Sequence, residues 1–147
     1  MFAKILLPTD GSQASLVAAR TAGTVAEAHD GVVHPLVAVE YRYIEDDDLP
    51  EHIRATIRER IDRRARAALQ QASAAAVSAG GRSSPGSLRV GPAPDAILQE
   101  AAAGEYDLIV MSSRGLGKEQ GHERLVGSVT ERVLHRASCP VLVIPHE

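Results

Sequence analysis

The sequence predicts an α/β protein whose core is an open, Rossmann-like sheet of five parallel strands with helices on both faces. Two observations carry this prediction. Short apolar runs alternate with longer stretches of helical pattern along the chain. The runs are continuously apolar instead of alternating with polar residues, which is typical of strands buried on both sides of a parallel sheet. Right-handed crossovers between such strands make an open doubly wound sheet the natural arrangement.

Five apolar runs predict the strands, at residues 5–7, 32–39, 88–90, 108–111 and 140–145. The segments between them predict four helices, at residues 12–29, 50–79, 94–104 and 128–136. Ser12 is a favourable N-cap for the first helix, and Gly80 with Gly81 ends the second. Residues 82–86 are expected to form a flexible loop.

The second predicted helix carries an apolar stripe and an arginine-rich surface. Apolar residues recur every four positions, at Ile53, Ile57, Ile61, Ala65 and Leu69. The other faces carry Arg54, Arg58, Arg60, Arg63, Arg64 and Arg66 beside Glu51, Glu59 and Asp62. We interpret these charges as a solvated helix face with exchangeable ion pairs, and an RNA-binding patch is the alternative.

Length and composition favour a single domain over residues 1–147 with a core of small aliphatic side chains. The 147 residues are 44% hydrophobic, which is normal for a globular domain and rules out wholesale disorder. Aromatic residues make up only 3%, so Ala, Val, Leu and Ile must build the core. A net charge of -3 and the shortage of rings for base stacking argue against a nucleic-acid partner.

The protein is expected to be soluble and cytoplasmic. No run approaches the roughly 18 apolar residues of a membrane span, and Pro8 interrupts the amino terminus too soon for a signal peptide. Cys139 is the only cysteine, so no intrachain disulfide can form, as is usual in a reducing compartment. We expect this thiol to lie inert beside the last strand, with a reactive thiol as the alternative.

The sequence contains no recognisable catalytic or metal-binding motif. Gly117-Lys118 is followed by Glu119 and not by the Ser or Thr of a Walker A loop. No second His follows at the zinc-protease spacing, and no Gly-x-Ser-x-Gly elbow supplies a nucleophile. The acidic run at residues 45–48 is expected to be a solvated loop, with a metal site as the alternative. No catalytic residue and no metal ligand is therefore assigned.

The first candidate site comes directly after the first strand and comprises Pro8, Thr9, Asp10, Gly11 and Ser12. The Asp10 carboxylate can accept hydrogen bonds from ribose hydroxyls or from an adenine amino group, and Gly11 permits a tight turn. The alternative is that Asp10 or Ser12 only caps the following helix.

The second candidate site is the glycine-rich segment after the fourth strand, residues 112–121, with Gly127 and Ser128 beyond it. Glycines let backbone N–H groups approach an anion, and a helix that opens at Ser128 presents its positive dipole end. Arg114 and Lys118 can neutralise phosphate charge. The alternative is a surface loop without function, in which Ser128 is only an N-cap. In an open α/β sheet, ligands bind beyond the carboxyl ends of the strands, where both segments lie.

Several segments together resemble the universal stress protein family over nearly the whole chain. Residues 4–12 are similar to the family's first strand and turn, and residues 90–97 to its central Gly-x-Pro segment. Residues 107–111, 127–134 and 139–144 resemble its carboxyl-terminal half. The resemblance implies a strand order of 3-2-1-4-5, which places Asp10 and the glycine-rich segment at the point where the order reverses. It also implies a homodimer through the edge of the last strand, where an uncovered apolar edge invites pairing.

The resemblance further implies a site for ATP together with Mg²⁺. Carried over to this chain, the adenine and ribose side comprises Pro8, Thr9, Asp10 and Val39, and the phosphate side comprises Ser112, Gly115, Gly127, Ser128 and Val129. Two features depart from the family pattern Gly-x2-Gly-x9-Gly-(Ser/Thr). Ser112 replaces the first glycine, and eleven residues separate Gly115 from Gly127.

Three functions follow from these observations. The leading one is an ATP-binding stress or signalling module whose unidentified protein partners sense its nucleotide state. The second is a dimeric stress protein that acts by protein interaction and binds no nucleotide, because Ser112 and the longer loop close the site. The third is a slow ATPase or a self-phosphorylating protein with Ser128 or Thr130 as acceptor, although no general base is evident near these hydroxyls.

Overall fold

A computed structural model describes residues 1–41, 48–114 and 126–145 of the chain. Its strands are β1 (Lys4–Pro8), β2 (Val32–Val39), β3 (Arg82–Ser83), β4 (Ser87–Val90), β5 (Leu108–Ser112) and β6 (Val141–Ile144). Its helices are α1 (Gln13–His29), α2 (Glu51–Ser78), α3 (Ala93–Ala103) and α4 (Ser128–Arg136). Among the described residues, no helix is long and apolar enough to cross a membrane.

The strands form one parallel sheet in the order β3-β2-β1-β5-β6, with β4 also paired to β2. β3 pairs with the first two residues of β2, and β4 pairs with the last four residues of β2. Both short strands therefore lie on the same side of β2. They act as two pieces of a single interrupted edge strand. The predicted parallel α/β sheet and its order are therefore confirmed, with this edge strand divided in two.

The prediction of a flexible loop over residues 82–86 was wrong for Arg82 and Ser83, which pair with Val32 and Val33. The interruption falls at Pro85, which has no N–H to donate, and Gly86, which adopts a left-handed φ of 86°. A strand of two residues is too short to produce a periodic pattern, and its pairing partner lies far away in the sequence.

Helix boundaries agree with the sequence pattern to within a residue or two. The Ser12 hydroxyl caps α1 by accepting from the Ser15 N–H at 3.2 Å, as predicted. The apolar stripe of α2 is buried only in its second half, since Ala65 and Leu69 are buried whereas Ile53 is 39% exposed. Before Ala65, α2 contributes no buried residue to the core.

Small side chains dominate the contact between α1 and α2 on one face of the sheet. The core on this face contains six alanines from α1 and α2 beneath Ile5, Leu7 and Val110 of the sheet: Ala18, Ala19, Ala22, Ala26, Ala72 and Ala76. At Gly23 the helices approach so closely that a Cβ atom would overlap the Ala76 carbonyl oxygen and lie 2.8 Å from the Ala76 Cα. α3 and α4 cover the opposite face of the sheet. The shortage of large side chains is therefore met by close approach of the backbones.

We expect Gly23→Ala to lower the free energy of unfolding by about 1–3 kcal/mol, because the added methyl group forces α1 away from α2. Alanine in a helix otherwise stabilises by about 1 kcal/mol over glycine, so the sign of the change is diagnostic. Urea unfolding followed by circular dichroism measures it. The neighbouring exposed variant Thr24→Ala is the control, and stabilisation by Gly23→Ala would contradict the close approach.

His34 on β2 is a partly buried titratable group outside the cleft described below. Its Nδ1 lies 3.0 Å from the Ser84 hydroxyl, and its ring meets that of Tyr106 edge-on with centroids 5.5 Å apart. Burial lowers the pKa of His34 below its usual 6.5, and the Lys4 charge lowers it further, against a smaller opposing effect of Glu100. Its neutral form is therefore favoured in the folded protein.

A lowered pKa in the folded state means that the unfolded chain binds the proton more readily. The contribution of neutral His34 to stability is therefore present above pH 6.5 and lost as the pH falls through the folded pKa. We expect His34→Gln to flatten the decline in unfolding free energy between pH 7 and 5. Urea unfolding across that range tests this, with ring NMR signals reporting the His34 pKa. A midpoint above 6.5 in the folded protein would contradict the assignment.

Candidate functional site

A cleft of about 530 Å³ opens at the carboxyl ends of β1, β2 and β5. β1 is hydrogen-bonded to β2 on one side and to β5 on the other. The chain proceeds from β1 outward to β2 and the β3/β4 edge, then crosses back to β5 on the far side of β1. The cleft therefore lies at the point where the strand order reverses, which is where open α/β sheets bind ligands. Its volume is in the usual range of small-molecule sites.

The structure brings most of the predicted site residues together around this cleft. Eight of them line it: Pro8, Thr9, Asp10, Val39, Ser112, Gly127, Ser128 and Val129. The ninth, Gly115, lies outside the described residues, as does Lys118. The role of these eight residues as ligand contacts remains a prediction, but their convergence on one surface is observed.

The turn between β1 and α1 is held in shape by its own side chains. The Thr9 hydroxyl donates to the Ser15 hydroxyl at 3.0 Å, and the Gly11 N–H donates to the Thr9 oxygen at 3.3 Å. The Asp10 carboxylate accepts from the Ser12 N–H at 2.9 Å. Gly11 adopts a left-handed φ of 82°, as the tight turn requires. Ser12 is thus the helix cap, while Asp10 orders the turn and lines the cleft.

The β5 end of the cleft is tied to the beginning of α4. The Thr130 hydroxyl donates to the Ser112 carbonyl oxygen at 2.9 Å, and the Gly127 N–H donates to the Ser113 carbonyl oxygen at 2.6 Å. The Ser112 hydroxyl donates to the Arg114 carbonyl oxygen at 2.5 Å. Ser112 therefore stabilises the turn with its hydroxyl group, a role that the sequence pattern does not reveal.

The first turn of α4 lines the cleft through Ser128, Val129 and Thr130. Gly127 stands at the N-cap position and supplies no side-chain cap within the described part of the chain. The first backbone N–H groups of a helix have no intrahelical acceptor, and they carry the positive end of the helix dipole. This edge of the cleft is suited to an anion.

The opposite wall is formed by α2, which sequence analysis did not assign to the site. Ile61, Arg64, Ala65 and Ala68 of this helix line the cleft, and Ala65 and Ala68 pack with Val37 and Val39 of β2. Glu40 at the end of β2 and Ile97 of α3 were also missed. No local pattern marks these residues, because only the packing of α2 on the sheet turns one of its faces toward the cleft.

The described residues contain no cluster of three or more His, Cys, Asp and Glu side chains that could hold a metal ion. The predicted acidic run contributes only Asp48 to the described part of the chain, and residues 45–47 lie outside it.

An open parallel sheet with a ligand-sized cleft at the reversal of its strand order defines a doubly wound α/β fold. A model of the universal stress protein family matches residues 1–145, and the chain belongs to this family.

Relatives and solved structures agree with this assignment. The universal stress protein MJ0531 of Methanocaldococcus jannaschii is 36% identical over 146 residues, which cover 98% of this chain and 82% of the relative. The structure of the hypothetical protein MJ0577 superimposes with a TM-score of 0.83 at 26% identity, covering 100% of this chain and 98% of the other. A universal stress protein solved in complex with cAMP gives a TM-score of 0.71 at 26% identity, with coverage of 98% and 97%.

Proposed function

We propose that this universal stress protein binds ATP, together with Mg²⁺, in the cleft and acts as a nucleotide-dependent stress or signalling module. The observation that carries the proposal is the meeting of Asp10 and the amino terminus of α4 in one cleft. The two lie more than a hundred residues apart in the sequence and are brought together by the pairing of β1 with β5. A related structure in complex with cAMP supports an adenine nucleotide as the ligand class.

The cleft offers a separate environment for each part of a nucleotide. Val39 and the apolar α2 wall suit the base, and the Asp10 carboxylate can accept from ribose hydroxyls. Backbone N–H groups at Ser128 and Val129 suit the phosphates, with the Arg114 charge nearby. Since the described residues offer no cluster of metal ligands, Mg²⁺ would be held chiefly by phosphate oxygens and water.

The state of Thr130 argues against this residue as an acceptor of a phosphoryl group. Its side chain is only 3% exposed, and its hydroxyl already donates to the Ser112 carbonyl oxygen. A buried hydroxyl engaged in this way is poorly placed to attack a phosphate. Ser128 is the more accessible of the two acceptors considered from the sequence.

We expect Asp10→Ala to weaken ATP binding about 10- to 100-fold, because a hydrogen bond to a charged group contributes about 1.5–3 kcal/mol. Isothermal titration calorimetry with ATP and Mg²⁺ measures the effect. Asp10→Asn retains an oxygen that can accept from the Ser12 N–H, so it separates loss of turn geometry from loss of the charged ligand contact. Glu59→Ala, which removes the same charge from the exposed face of α2, is the control.

The absence of any ATP binding by the wild-type protein would overturn the nucleotide proposal. The remaining hypothesis would then be a dimeric stress protein that acts by protein interaction. Release of bound nucleotide from the denatured purified protein provides a second, independent readout of the same question.

We also propose that the protein is a homodimer formed through the edge of β6. This strand pairs with β5 on one side only in the described part of the chain, and Leu142 is 37% exposed on it. The backbone N–H and C=O groups on the other side of β6 can pair with the same strand of a second copy. Such pairing would cover the apolar edge of the sheet.

A charge on this edge should prevent pairing without disturbing the core. We expect Leu142→Glu to convert the dimer to a folded monomer, measured by size-exclusion chromatography with light scattering. Leu134→Glu is the control, because Leu134 is 44% exposed and belongs to α4, not to the β6 edge strand. A monomeric wild-type protein, or a dimer that survives Leu142→Glu, would contradict the proposed interface.

A further inference from the structure

In the described part of the chain, the cleft is lined without aromatic rings on which a base could stack. None of its lining residues in the described ranges is Phe, Tyr, Trp or His. The wall beside Val39 is aliphatic, formed by Ile61, Ala65 and Ala68 of α2. Aliphatic side chains can pack on one face of a base, and an arginine plane is a group that can stack on the other face.

Arg64 is the flat group nearest to this aliphatic wall along α2. It lies three residues after Ile61 and four before Ala68, so all three share one face of the helix. Ala68 fixes the position of that face, because its Cβ lies 3.5 Å from the place where a Cβ of Gly11 would stand. Arg64 is one helical turn, about 5.4 Å, from this contact. Its side chain therefore lines the cleft beside the β1–α1 turn and the aliphatic wall.

The Arg64 guanidinium forms no ion pair with another described residue. Three of the other five arginines of α2 are engaged: Arg54 pairs with Glu51 at 3.0 Å, Arg63 pairs with Glu59 at 2.7 Å, and Arg58 contacts an aromatic ring. Arg58 lies over the ring of Tyr41, 5.0 Å from its centroid. Among the described residues, no carboxylate lies within ion-pair distance of the Arg64 guanidinium. The residue is exposed at the cleft and contributes nothing to the core.

We propose that Arg64 binds the nucleotide by stacking its guanidinium plane on the face of the base that Val39 and Ile61 leave uncovered. This inference rests on the proposed function. Arginine planes stack on bases as aromatic side chains do, with an added attraction between the cation and the π-system. In a chain with only 3% aromatic residues, an arginine from a packed helix supplies the missing flat surface.

A contact of Arg64 with a phosphate is the competing arrangement, and it makes different predictions. A stacked guanidinium contacts the base, so replacing it with lysine, which keeps the charge, weakens the binding of AMP, ADP and ATP by about the same factor. A phosphate contact acts through charge. Its removal therefore lowers the affinity more for nucleotides with more phosphate groups, and more at low salt concentration. Lysine preserves the charge of arginine but has no plane to stack.

The experiment compares Arg64→Lys and Arg64→Gln with the wild-type protein in calorimetric titrations of AMP, ADP and ATP. We expect both variants to bind all three nucleotides about 5- to 30-fold more weakly, from the magnitude of stacking and cation–π contacts. Arg66→Lys, on another face of the same helix outside the cleft, should bind as the wild type does. Thermal unfolding should be unchanged, because Arg64 is exposed and supports no core contact.

Each other outcome is informative. Full binding by Arg64→Lys with loss in Arg64→Gln, or a loss that grows from AMP to ATP, overturns stacking in favour of a charge contact. Unchanged binding in both variants removes Arg64 from the site altogether while leaving the nucleotide proposal intact. A wild-type protein that binds none of the three nucleotides overturns the proposed function and the stacking proposal together.

Discussion

The close approach of α1 and α2 is the constraint on which the rest of the structure depends. A chain with almost no aromatic residues cannot fill wide gaps between layers, so backbones must come close instead. Gly23 allows this from α1, and Gly81 after α2 repeats it, since a Cβ there would lie 2.7 Å from the Gly23 carbonyl oxygen. This close contact with α1 fixes the position of α2 on the sheet. One consequence is that Ala68 reaches Gly11 and that α2 forms a wall of the cleft.

The residues around the cleft divide into those that build it and those that remain available to a ligand. Thr9, Ser112 and Thr130 were candidates for ligand contact or modification, yet each hydroxyl is engaged in a hydrogen bond that shapes a turn. The amino terminus of α4 and the charges at the cleft edge remain available to the nucleotide that we propose as ligand. Internal hydrogen bonds of this kind hold the site in shape before a ligand arrives, which reduces the ordering cost of binding.

Elements that are specified by neighbouring residues could be predicted from the sequence. Continuous apolar runs identified β1, β2, β5 and β6, and capping residues placed the ends of α1. Elements that depend on an interaction with a distant part of the chain could not be predicted. Arg82 and Ser83 become a strand only because β2 offers them an edge, and the early turns of α2 carry apolar residues that the core does not bury.

The sequence by itself determined the fold class, the strand order implied by family resemblance, and the two segments that meet at the cleft. These depend on hydrophobic periodicity, turn residues and short motifs, all of which are properties of neighbouring residues. Only the tertiary structure decided which side chains face the cleft from α2 and which hydroxyls are already engaged. Those outcomes depend on the packing of α2 against α1 and on hydrogen bonds between distant segments. No local pattern encodes them, because each partner is placed by a different part of the chain.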